Sequence, residues 1–202
     1  MKKPDNLDVE RVINNVAVLL KEIPSSLEVV KNDEKREERF KFLAKYMVEK
    51  ALRHDALIVS EDYTGIAILF ENKNFKEGFW QTLKDDLKLA FKVTGLKKGW
   101  KGLKTQKVVR QARPKIDNYL YCWFWGILEN SRGVNTQKLA YKMKDEFYRM
   151  AQEKQIPLFA ETRTRRTSIA YQRYGFQVIK KWQHPSGDTM YFLRYDAPRK
   201  KD

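Results

Sequence analysis

Residues 119–128 read Tyr-Leu-Tyr-Cys-Trp-Phe-Trp-Gly-Ile-Leu, an apolar and aromatic run with bulky side chains at both odd and even positions. A strand that is apolar on both faces is covered on both, so this run predicts a central strand of a layered sheet. A polar turn follows over 129–137, Glu-Asn-Ser-Arg-Gly-Val-Asn-Thr-Gln. Residues 134–154 then place Leu139, Met143, Phe147, Met150 and Ala151 on one face of a long helix. Strand, polar turn and long helix together require a sheet with helices packed against it.

The preceding segments frame this unit. An apolar stripe at Leu7, Val9, Val12, Ile13, Val16, Leu19, Leu20 and Ile23 predicts a helix stopped by Pro24-Ser-Ser. Asn32 or Asp33 is placed to cap a second helix, acidic in its first turn, that ends at His54-Asp55. Residues 56–60 and 64–70 are two β-rich runs with a hairpin-sized link, which pairs them antiparallel. A third helical pattern over 75–93 is broken by Gly95.

From 92 to 115 the chain carries nine basic residues and no acid, with Trp100 among them. This segment reads either as a solvated helix face with a loop or as a rim around an anionic ligand. Beyond the long helix, residues 156–160 form a strand opened by Pro157. Thr167 or Ser168 caps a short helix that ends at Tyr174-Gly175. Residues 176–180 and 189–195 are strands joined by a turn at 184–188, and 198–202 is a frayed tail.

With 42% hydrophobic and 13% aromatic residues in 202, the chain has enough apolar side chains for the core of one domain. The net charge of +15 reads either as the mark of a polyanionic partner (nucleic acid, anionic lipid or a phosphorylated cofactor) or simply as that of a soluble basic protein. No apolar run approaches the roughly 20 residues of a membrane span. The N-terminus lacks the apolar core of a signal peptide, and the single cysteine, Cys122, excludes an internal disulfide and a cysteine-based zinc site. Cytoplasm is the expected compartment.

The turn before the long helix carries the chemistry. A helix beginning near Val134 leaves its first N–H groups unpaired, and its dipole adds positive potential there, which suits a phosphate or pyrophosphate. Arg132 and Lys138 flank that end, and Gly133 lets backbone approach a ligand. Tyr171 lies four residues before Gly175-Phe176, near the end of the short helix.

In this order, the elements over 117–196 resemble the GCN5-related N-acetyltransferases. That family's turn reads Arg/Gln-x-x-Gly-x-Gly/Ala. Against its frequent form Arg-Gly-x-Gly-x-Gly, residues 132–137, Arg-Gly-Val-Asn-Thr-Gln, keep the arginine and the glycine after it and replace the two later glycines by Asn135 and Gln137. The block from Pro157 to Thr162, and Tyr-Gln-Arg-Tyr-Gly-Phe over 171–176, follow the family more closely. Thr167 stands where the family often has a cofactor-facing asparagine. The earlier half is similar to the puromycin N-acetyltransferase-like branch.

The resemblance implies an α/β (α+β) fold in one domain over 1–202. Its sheet is mixed, mostly antiparallel, flanked by helices and splayed between the two central strands. Within it, 7–55 are N-terminal helices, 56–115 a hairpin and basic helical insert, 117–196 the cofactor core and 197–202 a tail. The implied activity is acetyl transfer from acetyl-CoA to the amine of a small molecule. The pyrophosphate would rest on Arg132, Gly133, Val134, Asn135, Thr136, Gln137 and Lys138, with Thr167 nearby. Backbone of Ile127 and Leu128 would pair with the pantetheine. Tyr171 is the implied acid, Glu129 and Glu161 the candidate bases, and Tyr121, Trp123 and Trp125 the candidate acceptor wall. Two other readings stay open: a catalytically silent CoA-binding or sensor protein, and a nucleic-acid-binding module built on the 92–115 segment.

Overall fold

The computed structural model describes residues 7–74, 92–93, 108–109, 111–112, 116–128 and 134–198, with side chains in the last stretch from Gln137 onward. The helical pattern predicted over 75–93, the body of the basic segment over 92–115 and the turn over 129–133 lie outside the described residues. No helix among those described is long and apolar enough to cross a membrane.

Helix α1 (Val9–Leu20) buries the predicted stripe, and the Asp8 side chain accepts from the Arg11 N–H at its start. Helix α1 stops before Pro24, in line with the sequence reading, but Pro24 does more than mark a stop. It opens the short helix α2 (Pro24–Val29), because the missing N–H of proline is harmless in a first turn. Helix α3 (Arg36–Arg53) starts later than the predicted caps, with Lys35 at its N-cap position and no side-chain cap. Asp33 is instead gripped by Arg39 through two bonds of 2.9 and 2.8 Å, which holds its carboxyl far below the usual range.

Six strands form one sheet: β1 (Leu57–Val59), β2 (Gly65–Glu71), β3 (Leu120–Ile127), β4 (Leu158–Thr162), β5 (Gln177–Gln183) and β6 (Thr189–Tyr195). Their order is β1-β2-β3-β4-β6-β5. Every neighbouring pair is antiparallel except β3–β4. Helix α4 (Val134–Lys154) joins those two parallel strands and matches the predicted range; α5 (Arg165–Arg173) follows β4.

Both faces of the sheet are covered, which explains the double apolarity of β3. On one face α1 and α3 bring Val12, Val16, Phe40 and Val48 against Ile66, Ile68, Phe70, Tyr121, Phe124 and Phe159. On the other, Met143, Phe147 and Ala151 of α4 and Tyr171 of α5 pack on Ala67, Leu69, Leu120, Cys122, Leu158 and Ala160.

Strand β3 carries a bulge. Ile68 pairs with Phe124 and Leu69 with Cys122, so Trp123 is an extra residue without a partner in β2. Trp123 and Phe124 consequently lie on the same face, packed with the α1–α3 core. The parallel pairing of β3 with β4 runs from Leu120/Leu158 to Cys122/Ala160 and stops where the bulge begins. Beyond that point the two central strands diverge, as predicted.

Helix α5 begins three or four residues before the predicted start, which had Thr167 or Ser168 as its cap. Thr164 occupies its N-cap position without a side-chain bond, and the Ser168 N–H donates to the Thr164 carbonyl inside the first turn. Its far end agrees with the sequence reading. Gly175 adopts φ +94°, the Phe176 N–H returns to the Tyr171 carbonyl at 3.0 Å, and the Gly175 N–H returns to that of Gln172 at 2.9 Å. This Schellman pairing satisfies the last carbonyls of the helix and fixes Tyr171 one turn before its end.

Candidate active site

The divergence of β3 and β4 opens the sheet between two differently equipped faces. On the α1–α3 face the Tyr121 hydroxyl donates to Glu161 Oε1 at 2.5 Å, from within the paired stretch of β3 to the first β4 residue beyond it. Trp123 stands beside them, with its ring 5.4 Å from Phe70 and 6.5 Å from Tyr46. On the α4–α5 face the Tyr171 hydroxyl lies 3.6 Å from Cys122 Sγ. Burial drives the Tyr171 phenol well above its ordinary range, and Cys122 pushes the same way. Burial also pushes the Cys122 thiol up to about 12, against a smaller opposing effect of its bond to Tyr171.

Trp125 also lies on the α4–α5 face, so the structure does not bring it to Tyr121 and Trp123. The cause is the bulge, which the alternation of residue types does not reveal. The Trp125 ring packs 5.0 Å from Phe147, 5.7 Å from Tyr171 and 5.8 Å from Tyr174, and its Nε1 donates to Met143 Sδ at 3.3 Å.

Tyr174 leads outward to a groove of about 530 Å³ between α4 and α5. Gln137 and Tyr141 form its α4 wall; Arg165, Arg166 and Arg173 form its α5 wall. The Tyr141 and Tyr174 rings meet edge to face at 5.5 Å. Among the lining residues only Gln137 had been anticipated. The three arginines were missed because the groove joins two helices distant in sequence. The signal that would have found them is the charge pattern: six basic residues and no acid from 163 to 187.

The remaining candidates are placed as follows. Val134, Asn135 and Thr136 form the first turn of α4, as the anion-binding reading requires of their backbone. Lys138 is exposed one residue beyond Gln137. Thr167 is exposed on α5 and is not among the groove residues. Ile127 packs with the α4–α5 core and Leu128 with the α1–α3 core. The Leu128 N–H is already committed to the Thr64 carbonyl at 2.9 Å, so any ligand pairing there falls to its carbonyl. Glu129, Arg132 and Gly133 lie outside the described residues.

Arg163, just past β4, fixes the opposite rim. Its side chain is 6% exposed and bonds Glu28 of α2, and through Nη2 Ser186 and Asp188 of the β5–β6 turn, each at 2.5 Å. His184 of that turn accepts the Ser186 N–H through Nδ1, and burial, aided by the Arg163 charge, lowers its pKa.

No protein-family model matches the sequence, and neither does any curated protein. Solved structures do match the fold. The C-terminal condensation domain of Ebony, bound to beta-alanyl-dopamine, aligns with a TM-score of 0.64 at 13% identity over 95% of this chain and 96% of that one. Arylalkylamine N-acetyltransferase 2 from Aedes aegypti aligns at 0.63 and 12% identity over 94% of each chain. A Corynebacterium glutamicum protein named histone acetyltransferase HPA2 and related acetyltransferase aligns at 0.63 and 12% identity over 100% and 97%. At such identities the likeness defines a class of fold, that of the GCN5-related N-acetyltransferases.

Proposed function

We propose that the protein is an N-acyltransferase that moves an acetyl group from acetyl-CoA to the amine of a small molecule by direct attack in a ternary complex. The observation that carries this reading is the opening between β3 and β4, with Tyr121 and Glu161 on one face and Tyr171 on the other. A carboxylate on one side of a reacting centre and a protonated phenol on the other are what amine attack on a thioester uses. The acyltransferase fold supports it.

The residues present fit the cofactor. The first turn of α4 offers backbone N–H groups to a pyrophosphate, and the groove beside it is lined by three guanidinium groups. When bound, acetyl-CoA supplies the acetyl group as an activated thioester. Arg132, Gly133 and the backbone of 134–138 would hold its pyrophosphate. Tyr171 keeps its proton across the working pH range and would be the proton donor on the α4–α5 side. Glu161, oriented by the Tyr121 hydroxyl, receives the amine proton directly or through water, with Glu129 the second candidate. Tyr121 and Trp123 wall the acceptor side, while Trp125 holds Tyr171 in place by ring packing.

Isothermal titration with acetyl-CoA, followed by turnover on a panel of small amines, tests this reading. Micromolar binding and acetylation of at least one amine are expected. Absence of binding at millimolar acetyl-CoA overturns it.

A further inference from the structure

The ring of Tyr171 is held on two sides. Trp125 packs against it edge to face at 5.7 Å and Phe176 at 4.9 Å. Its carbonyl accepts from the Tyr174 and Phe176 N–H groups at 3.1 and 3.0 Å, so the backbone beneath the ring is fixed as well. The freedom left to the phenol is rotation of its hydroxyl about the Cζ–O bond. Among the described residues that hydroxyl has one hydrogen-bonding partner, Cys122 Sγ at 3.6 Å.

Counting protons gives the direction of that bond. A thiol carries a single proton, and Cys122 donates it across the bulge to the Phe124 carbonyl at 3.8 Å. The bond to Tyr171 therefore runs from the phenol to the sulfur. Cys122 also has a defined place in the sheet. It is the last β3 residue paired with β4, opposite Ala160, and the last before the extra residue Trp123. Its thiol thus stands at the vertex where the two central strands part, and it draws the Tyr171 proton to that vertex. A thiol sulfur is a weak acceptor. It directs a hydroxyl without holding it firmly, whereas a buried carbonyl or carboxylate in its place would keep the proton in a bond of ordinary strength.

We propose that Cys122 is a positioning residue for Tyr171: its thiol aims the phenolic O–H into the vertex between β3 and β4 and leaves it free for a stronger acceptor, such as a thiolate, in the opening. The inference rests on the acyltransferase reading above. It gives the single cysteine of the chain a role that packing in an apolar core does not supply, since alanine or valine would serve that purpose on a buried strand. Cys122 acts only through Tyr171 and keeps its own proton on the Phe124 carbonyl.

Nuclear magnetic resonance of the full chain, with its tyrosines isotopically enriched at Cζ, tests it by a readout that needs no turnover. The Cζ shift of a phenol follows the bonding of its hydroxyl, and the Tyr171 signal is assigned by its loss in Tyr171→Phe. Cys122→Ala removes the thiol and leaves a small void, while Cys122→Val fills the space with an apolar group. Both variants are expected to displace the Tyr171 signal in the same direction and to bind acetyl-CoA within about twofold of the wild type. Both are expected to lower kcat about tenfold. A Tyr171 signal unmoved in both variants overturns the inference and leaves the acyltransferase reading intact. A displaced signal with unchanged kcat does the same. Opposite displacements, or a kcat loss in one variant alone, assign Cys122 to packing and overturn the inference. Wild-type protein that fails to bind acetyl-CoA, or binds it and acetylates no amine, overturns the acyltransferase reading and the inference with it, and this is read before any variant is made.

Discussion

The Tyr171 hydroxyl and the Cys122 thiol meet at 3.6 Å, enclosed between β3, α4 and α5. Each keeps its proton because ionisation would place a charge in an apolar interior. The folded-state pKa of each lies above its unfolded value, so this contribution to stability is fully present below about pH 8.5. It declines as pH rises toward the folded value, about 12 for the thiol. Urea midpoints should fall between pH 8 and 10, and fall less in Cys122→Ala. Native protein should react with a chromogenic disulfide far more slowly than the unfolded chain does; equal rates would refute the burial of Cys122.

Tyr171→Phe keeps the ring contacts with Trp125 and Phe176 and removes the hydroxyl. Under the proposed mechanism kcat falls about 100-fold or more, the range for a positioned acid, while affinity for acetyl-CoA stays within about twofold. Steady-state kinetics and titration on the same preparation separate the two effects. Unchanged kcat would remove Tyr171 from the acid role.

Two glycines hold the β2–β3 pair close to its helices. A Cβ at Gly65 would stand 2.6 Å from Met143 Sδ, and one at Gly126 would stand 2.9 Å from Leu19 Cδ1. Met143 is fully enclosed and accepts from Trp125, so it has little room to yield. Gly65→Ala and Gly126→Ala should each destabilise by about 1–3 kcal/mol, the range for overpacking, as read from denaturant midpoints. A neutral result at Gly65 would show that Met143 repacks freely.

His184 has its folded pKa below the unfolded value, through burial and the neighbouring Arg163 charge. Its contribution is therefore present above about pH 6.5 and lost as pH falls, because the unfolded chain takes up the proton first. The thermal midpoint should drop between pH 7 and 5, with a shallower slope in His184→Gln. In a proton-resonance titration the His184 ring should change below about pH 6.5. A midpoint above that value would contradict the turn geometry.

Much of the architecture was legible because it rests on periodicity. The range of α4, the central place of β3 and the Gly175 terminus follow from side-chain patterns that the packing obeys. Local signals misled where tertiary contacts outweighed them. Pro24 reads as a stop and is also a first-turn residue of the next helix. Thr167 and Ser168 read as caps, yet the Thr164 carbonyl accepts from Ser168 and the helix starts earlier. Arg165 and Arg166 argue against a helix start from the dipole alone, which concealed both the helix end and the groove. The acid and base candidates could be named from the sequence one at a time, but their placement on opposite faces could not, because it depends on how α5 packs against the sheet. The separation of Trp125 from Tyr121 and Trp123 depends on a strand irregularity that residue types do not encode.

That irregularity makes β3 a strand with two reading frames. Up to Cys122 even-numbered residues face α4; after Trp123 odd-numbered ones do. Deleting Trp123 would restore plain alternation, and with the inner half anchored the outer half would have to turn over. Trp125 and Ile127 would then be delivered to the α1–α3 side and Gly126 to α4. Changes of residue type along β3 are thus local events, whereas a change of its length by one residue would exchange the two chemical sides of the sheet.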